Sequence, residues 1–213
     1  MGLFDLFNNK KTDAELLRLK EEKRKQDWIR ITELESKYVS PSDAALLAEL
    51  PPTVRLMVRN TLIQCKQAGI HLGIHTGYRS VEAQDELYKI GRKLENGLWV
   101  VSDKAKIVTN AIGGKSWHNY GLAADLVIDG SEKPGLQWTW DDTVDTNKDG
   151  LCDWNQMGII AEHNGLTWGG RWRPPVAPKD DPHVQYHNGI DTVSQALILY
   201  KQGGLDAVWN KIA

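Results

Sequence analysis

A chain that mixes helices with short strands, preceded by a charged helical segment, is what this sequence predicts. Three observations carry that reading. Leu16 to Tyr38 contains neither Gly nor Pro and is dense in charge, the mark of a solvated helix. Val54, Met57, Val58, Leu62 and Cys65 recur at helical spacing. Short apolar runs of strand character follow, with Ile70, Leu72 and Ile74 alternating in one and Leu122 to Ile128 forming another.

The bulk numbers bound the function. A chain of 213 residues has room for one well-buried domain and an appendage. Hydrophobic content of 41% and charged content of 25% belong to a soluble globular protein. The net charge of -2 offers no basic surplus, so no nucleic-acid partner is expected. No apolar run reaches the roughly 18 residues of a membrane span. Met1 to Phe7 lacks a basic start and a long apolar core, so no secretory signal is expected. Leu6 also breaks the myristoylation pattern. Cys65 and Cys152 form no Cys-x-x-Cys pair, and Cys65 lies on an apolar helix face as a buried thiol. Nine Trp are unusual; they serve as platforms for sugars and peptides or as core.

In chain order, Thr12-Asp13-Ala14-Glu15 reads as a capping box opening the charged helix. That helix packs on a partner or is solvated; contact with an anionic envelope is the alternative. Ser40-Pro41-Ser42 opens a second short helix, and Pro51-Pro52 ends it. The boundary is therefore placed between residues 1–50, a helical charged segment, and 51–213, the main domain. Gly69 stops the helix built on Val54 to Cys65. In the next strand His71 and His75 read as polar-face residues rather than ligands. Ser80 caps a helix with apolar positions Ala83, Leu87, Ile90 and Leu94. Leu98 to Val101 is a short strand. Asp129 to Val144 is polar and without strong period. Met157 to His163 is helical, Leu166 to Trp172 strand-like, and Ile190 to Ala213 a helix broken near Gly203-Gly204.

The chemistry centres on Ser116-Trp117-His118-Asn119-Tyr120-Gly121-Leu122-Ala123-Ala124-Asp125. The spacing of His118 and Asp125 does not suit one helix face. It suits a loop entering a strand, with Gly121 at the bend. Such a pair supplies two ligands of a catalytic zinc or a buried His–Asp hydrogen bond; this stretch alone leaves both open. Further on, Asp145, Asn147, Asp149 and Gly150 follow the calcium-loop pattern. Leu151 would add a carbonyl and Asp153 a side-chain oxygen, while Gln156 stands where a bidentate Glu is usual. A calcium loop of weakened affinity is the expectation, and an acidic turn the alternative.

Ser-x-His-x-x-Gly-x-Ala-x-Asp resembles the signature of the zinc peptidases that cut peptidoglycan stem peptides. This group includes the D-Ala-D-Ala carboxypeptidases and dipeptidases and the phage L-alanyl-D-glutamate endopeptidases. Three more stretches resemble it in the same order: Gly77-Tyr78-Arg79-Ser80-x-x-x-Gln84, Leu166-x-Trp168-Gly169-Gly170-x-Trp172, and Asp180-Asp181-Pro182-His183. Val108-Thr109-Asn110-Ala111 with Gly113-Gly114 before Ser116 resembles the phage branch. The resemblance covers about Gly77 to Gln185 and leaves the N-terminal block outside.

The fold the resemblance implies is α+β, with a small antiparallel sheet bearing the ligands and helices packed on one side. It implies zinc held by His118, Asp125 and His183, with Asp180 as the base and Arg79 supporting the oxyanion. Gln84 and Ser116 would orient the peptide, and Trp172 would flank the cleft. Asp181 is an adjacent acid that competes for the role of Asp180. His187 is set aside, because on a strand it would lie too far from His183. The implied activity is zinc-dependent hydrolysis of stem peptides in bacterial peptidoglycan by a monomeric endopeptidase of phage endolysin type. Such a protein would be made in the host cytoplasm and would act on the wall or periplasm. A D,D-carboxypeptidase of the same group and a non-catalytic metal-bearing domain are the rivals.

Overall fold

A computed structural model describes residues 12–129, 138–175 and 177–212. The chain divides into two compact units, one ending at Tyr38 and the other starting at Val39. The first contains helix α1, Asp13–Tyr38. Its start is the expected capping box: Thr12 N–H donates to Glu15 Oε2 at 2.8 Å, and Glu15 N–H donates to Thr12 Oγ1 at 3.2 Å.

The second unit is α+β. Helices α2 (Pro41–Ala48) and α3 (Pro52–Gln67) precede strand β1 (Leu72–Thr76). Next come α4 (Val81–Lys89) and the hairpin β2 (Arg92–Glu95) with β3 (Leu98–Val101). The remainder is β4 (Ala123–Asp129), β5 (Trp138–Thr139), α5 (Asp153–His163), β6 (Thr167–Trp168), β7 (His183–Gln185) and α6 (Val193–Ile212). The main sheet runs β1-β4-β7-β6 with β5 also on β4, and every pairing is antiparallel. Val54, Val58, Leu62 and Cys65 of α3, Leu126 and Ile128 of β4, Met157 and Ala161 of α5 and Val184 of β7 are all fully buried. Together they form the core between sheet and helices. Burial pushes the Cys65 thiol up to about 12, so it behaves as an apolar side chain.

Several expected bounds move. The second unit takes in α2, so the division falls before residue 50. The reason is packing: Leu47 and Leu50 are buried, and Asp43 Oδ1 accepts the Ile74 N–H of β1 at 2.7 Å. The helix after Ser80 stops at Lys89, because Ile90 turns extended and Gly91 takes a φ of 76°. Ile90 is thereby exposed, and Leu94 passes to the hairpin, also exposed. Asn96-Gly97, both at positive φ, closes that hairpin as such a pair favours. Leu166 to Trp172 is strand only at Thr167–Trp168 and then a tight helical turn over Gly169–Arg171. The kink of α6 falls at Gly203 and Gly204 as expected. Part of the stretch from Asp129 to Val144, residues 130–137, lies outside the described residues.

Candidate active site

Three backbone devices bring the polar motifs to one point. Gly121 takes the left-handed conformation, φ 68°, after the tight turn Trp117–Tyr120. The chain then enters β4 with His118 just outside the sheet and Asp125 within it. In the β4–β7 pairing Asp125 is the direct partner of His183, as cross-strand neighbours whose side chains meet. The β1–β4 ladder is irregular between Ile74 and Thr76, next to Asp125. Such bulges re-aim side chains beside sites.

The outcome is a convergent triad. His118 Nε2 lies 3.3 Å from Asp125 Oδ1, and His183 Nδ1 lies 3.1 Å from the same oxygen. Among the described residues this is the one group of three or more His, Cys, Asp or Glu gathered for a metal, with ligand atoms within 4.8 Å of one another. Each ring has its outer nitrogen engaged. His118 Nδ1 is 2.9 Å from the Gly77 carbonyl, which can only accept, so Nδ1 carries the proton and Nε2 points its lone pair inward. His183 Nε2 is 3.0 Å from Gln185 Oε1. With both outer nitrogens donating, two lone pairs and a carboxylate converge, and that arrangement calls for a cation. Two imidazoles and one carboxylate beside an open cavity are a donor set suited to catalytic zinc, with outer partners of the expected kind.

The charges agree with this geometry. Burial alone would raise the Asp125 carboxyl, but the imidazoles of His118 and His183 outweigh it and hold it far below the usual range. Burial alone would lower His183, yet the hydrogen bond and charge of Asp125, helped by Asp180, raise it. Asp180 is raised, chiefly by burial, with His183 opposing.

The triad opens into a cavity of about 490 Å³ lined by Arg79, Ser116, Trp172 and Asp180 as well. Arg79 Nη2 lies 3.6 Å from Asp125 Oδ2. The Trp172 ring is 5.1 Å from the His183 ring. Asp181 turns elsewhere: its Oδ2 pairs with Lys179 Nζ at 2.8 Å. His187 stacks on Trp117 at 4.2 Å, away from the triad.

Gln84 is the correction among the expected substrate contacts. It is fully buried. Its Nε2 donates to Ala111 O at 2.8 Å and Thr109 Oγ1 at 3.3 Å, and its Oε1 accepts from Arg79 Nη1 at 2.9 Å. With both ends of the amide spent on the protein, Gln84 holds Arg79 and the loop before Ser116 rather than a peptide.

Sequence reasoning passed over three residues. Asn119, almost wholly buried, donates to the carbonyls of Arg79 and Ser80 at 2.9 and 3.2 Å and accepts from the Gly114 N–H at 2.9 Å. It ties the Arg79 turn to the His118 turn. Its place next to His118 was the available signal. His75 and Trp140 also line the cavity; the first was read only as a strand surface, and the second lies in a stretch without period.

The loop from Asp145 to Gln156 is closed by its own hydrogen bonds. Asp145 accepts from the N–H groups of Asp149 and Gly150 at 3.1 and 2.9 Å, and Asp149 accepts from Leu151 N–H at 2.9 Å. Asn147 Oδ1 accepts from Asp149 N–H at 3.2 Å, and Gln156 Nε2 donates to Asp149 Oδ1 at 3.2 Å. Asp153 is buried, with Oδ2 bound to Thr146 and Oδ1 without a hydrogen-bond partner.

Known proteins resemble this chain. A family model described as D-alanyl-D-alanine carboxypeptidase, of the M15 peptidases, matches residues 109–186, the span holding His118, Asp125, Asp180 and His183. The peptidoglycan L-alanyl-D-glutamate endopeptidase CwlK of Bacillus subtilis (strain 168) is 36% identical over 143 residues, 67% of this chain and 77% of that protein. Among solved structures, the L-Ala D-Glu endopeptidase ChiX of Serratia marcescens is 19% identical, over 67% of this chain and 84% of that one, at a TM-score of 0.43. VanYB in complex with D-alanine-D-alanine is 18% identical, over 77% of this chain and 84% of that one, also at 0.43.

Proposed function

The chain belongs to the M15 family of metallopeptidases, and on that premise we propose that it hydrolyses the L-alanyl-D-glutamate bond of peptidoglycan stem peptides with zinc, as a phage-type endolysin. The observation that carries this reading is the His118–Asp125–His183 triad, with ligand atoms within 4.8 Å of one another, opening into a cavity that Asp180 and Arg79 also line. The named activity of the 36%-identical relative supports the choice of bond. The phage-like stretch from Val108 to Ser116 supports the endolysin assignment.

Zinc, when bound, supplies a Lewis acid and brings the pKa of its water to about 7. The chain does the rest. His118, Asp125 and His183 hold the ion. Asp180 accepts the proton of the attacking water and returns it to the departing amine. Arg79, steadied by Gln84, donates to the oxyanion as charge develops on the scissile carbonyl. Ser116 orients the peptide, and the Trp172 ring covers it beside His183.

The test is digestion of purified cell wall with identification of the new termini. New amino groups on D-glutamate support the reading; release of free D-alanine alone assigns the carboxypeptidase activity instead. We also read the loop from Asp145 to Gln156 as a calcium loop, with affinity toward roughly 10⁻⁴–10⁻³ M because Gln156 replaces a bidentate Glu. The spacing of Asp145, Asn147, Asp149 and Gly150 supports it. A melt with and without millimolar calcium, at constant zinc, decides: no shift in Tm, or an equal shift in Asp145→Ala/Asp149→Ala, makes the loop an acidic turn only.

A further inference from the structure

We propose that Trp140, with Trp138 and His75 beside it, forms a subsite for the amino sugar that bears the stem peptide. This rests on the L-alanyl-D-glutamate reading above and deepens it. In that substrate the L-alanine nitrogen is acylated by the lactyl arm of N-acetylmuramic acid. One residue therefore separates the scissile carbonyl from the sugar's arm, and an extended residue spans only about 3.3–3.6 Å. A cavity that holds this peptide bond at the triad must meet the pyranose at its mouth.

Trp140 is the residue built for that meeting. It lines the same cavity as His118 and Asp125, yet it is 62% exposed. An indole at once in the cavity wall and in solvent is at the rim. Trp138 is 38% exposed, and its ring stands edge-on to His75 at 4.7 Å and 77°. His75 also lines the cavity. A pyranose has an apolar C–H face and a polar rim, so flat indoles beside an imidazole match both parts. Exposed apolar surface gathered at a cavity mouth marks a binding site more often than chance exposure does.

The platform is held in place by the sheet. Trp138 and Thr139 pair with Asp129 and Ile128 of β4, the strand that carries Asp125. Just past Trp140, the Asp141 carbonyl accepts from the indole N–H of buried Trp154 at 3.0 Å. Trp172 is not an equivalent candidate, because its ring lies over the ligand His183, where the peptide itself must pass.

Two readouts on the full chain test this. The first is tryptophan fluorescence titrated with glycan strands stripped of their stem peptides. The second is steady-state cleavage of a disaccharide tetrapeptide and of the same tetrapeptide without sugar. The wild type should bind the bare strands and show a KM lower by about tenfold for the sugar-bearing substrate, the scale of one good ring contact. Trp140→Ala should weaken strand binding and erase that advantage, while Trp140→Phe should keep most of it. Failure of the wild type to bind bare strands overturns the subsite. So does an equal rise of KM for both substrates in Trp140→Ala, which puts the ring against the peptide. If the wild type binds the strands but cleaves neither peptide, the sugar subsite stands and the endopeptidase reading falls.

Discussion

Gln84 Oε1 accepts a hydrogen bond from Arg79 Nη1 at 2.9 Å, while Nη2 of the same guanidinium lies 3.6 Å from Asp125 Oδ2. A buried amide thus sets the aim of the group assigned to the oxyanion. Burial lowers the Arg79 pKa and the Asp125 charge opposes that, so the side chain remains a cation facing the cavity. Arg79→Ala should cut kcat by about 10²–10³ with zinc retained, as for other lost oxyanion donors. Gln84→Leu should lower kcat by about tenfold and cost roughly 1–3 kcal/mol of stability through orphaned partners. A Gln84→Leu enzyme with normal kcat and only a raised KM would return Gln84 to the substrate.

Asp180 and Asp181 are adjacent, and the structure gives them different surroundings. Asp180 faces the cavity; Asp181 pairs with Lys179. Asp180→Asn should keep zinc and lose lytic activity, whereas Asp181→Asn should stay within a few-fold of wild type in turnover, because its carboxylate pairs with Lys179 and does not line the cavity. Measured turnover in the reverse order would move the base to Asp181.

The N-terminal unit should be dispensable for chemistry, but only as far as Tyr38. A chain beginning at Val39 should melt with the full-length protein and cut soluble muropeptides. A chain beginning at Pro51 loses Leu47, Leu50 and the Asp43 carboxylate that receives the Ile74 N–H. Removing even one buried Leu costs about 2–5 kcal/mol, so this shorter chain should melt far lower or fail to fold. Equal melting of the two would show that α2 contributes nothing.

Zinc affinity should depend on pH through His183. The metal needs the Nδ1 lone pair, and a proton competes for it. Asp125, first by its hydrogen bond and then by its charge, outweighs burial and raises the His183 pKa above that of an ordinary imidazole. Affinity should therefore begin to fall at a pH above the usual imidazole value and keep falling as the pH is lowered further. Asp125 adds no such dependence there, because its carboxyl is held far below the usual range. Chelator competition across about pH 5–8 measures this, and a flat profile would contradict it.

Much of the site was legible because its residues lie in short contiguous motifs. Gly121 marked the bend, the apolar run after it marked β4, and Pro182 placed His183 on a strand rather than a helix. What escaped depends on contacts between distant segments. The role of Gln84 is set by Thr109 and Ala111, which fold over it from a loop without period. The direct pairing of Asp125 with His183 is a matter of sheet register, and no local pattern announces it. Of the hairpin, Leu98–Val101 was legible as a strand but its partner Arg92–Glu95 was not, because the helical spacing of Ile90 and Leu94 reached into it although Asn96-Gly97 is a strong turn signal.

The central claim is that His118, Asp125 and His183 together hold a catalytic zinc. Metal analysis of the purified wild type beside His118→Ala and His183→Ala tests it most directly. The account predicts about one zinc per chain in the wild type, as for a three-ligand catalytic site, and its loss in each variant while the fold, judged by circular dichroism, persists. Stoichiometric zinc in both folded variants would contradict it.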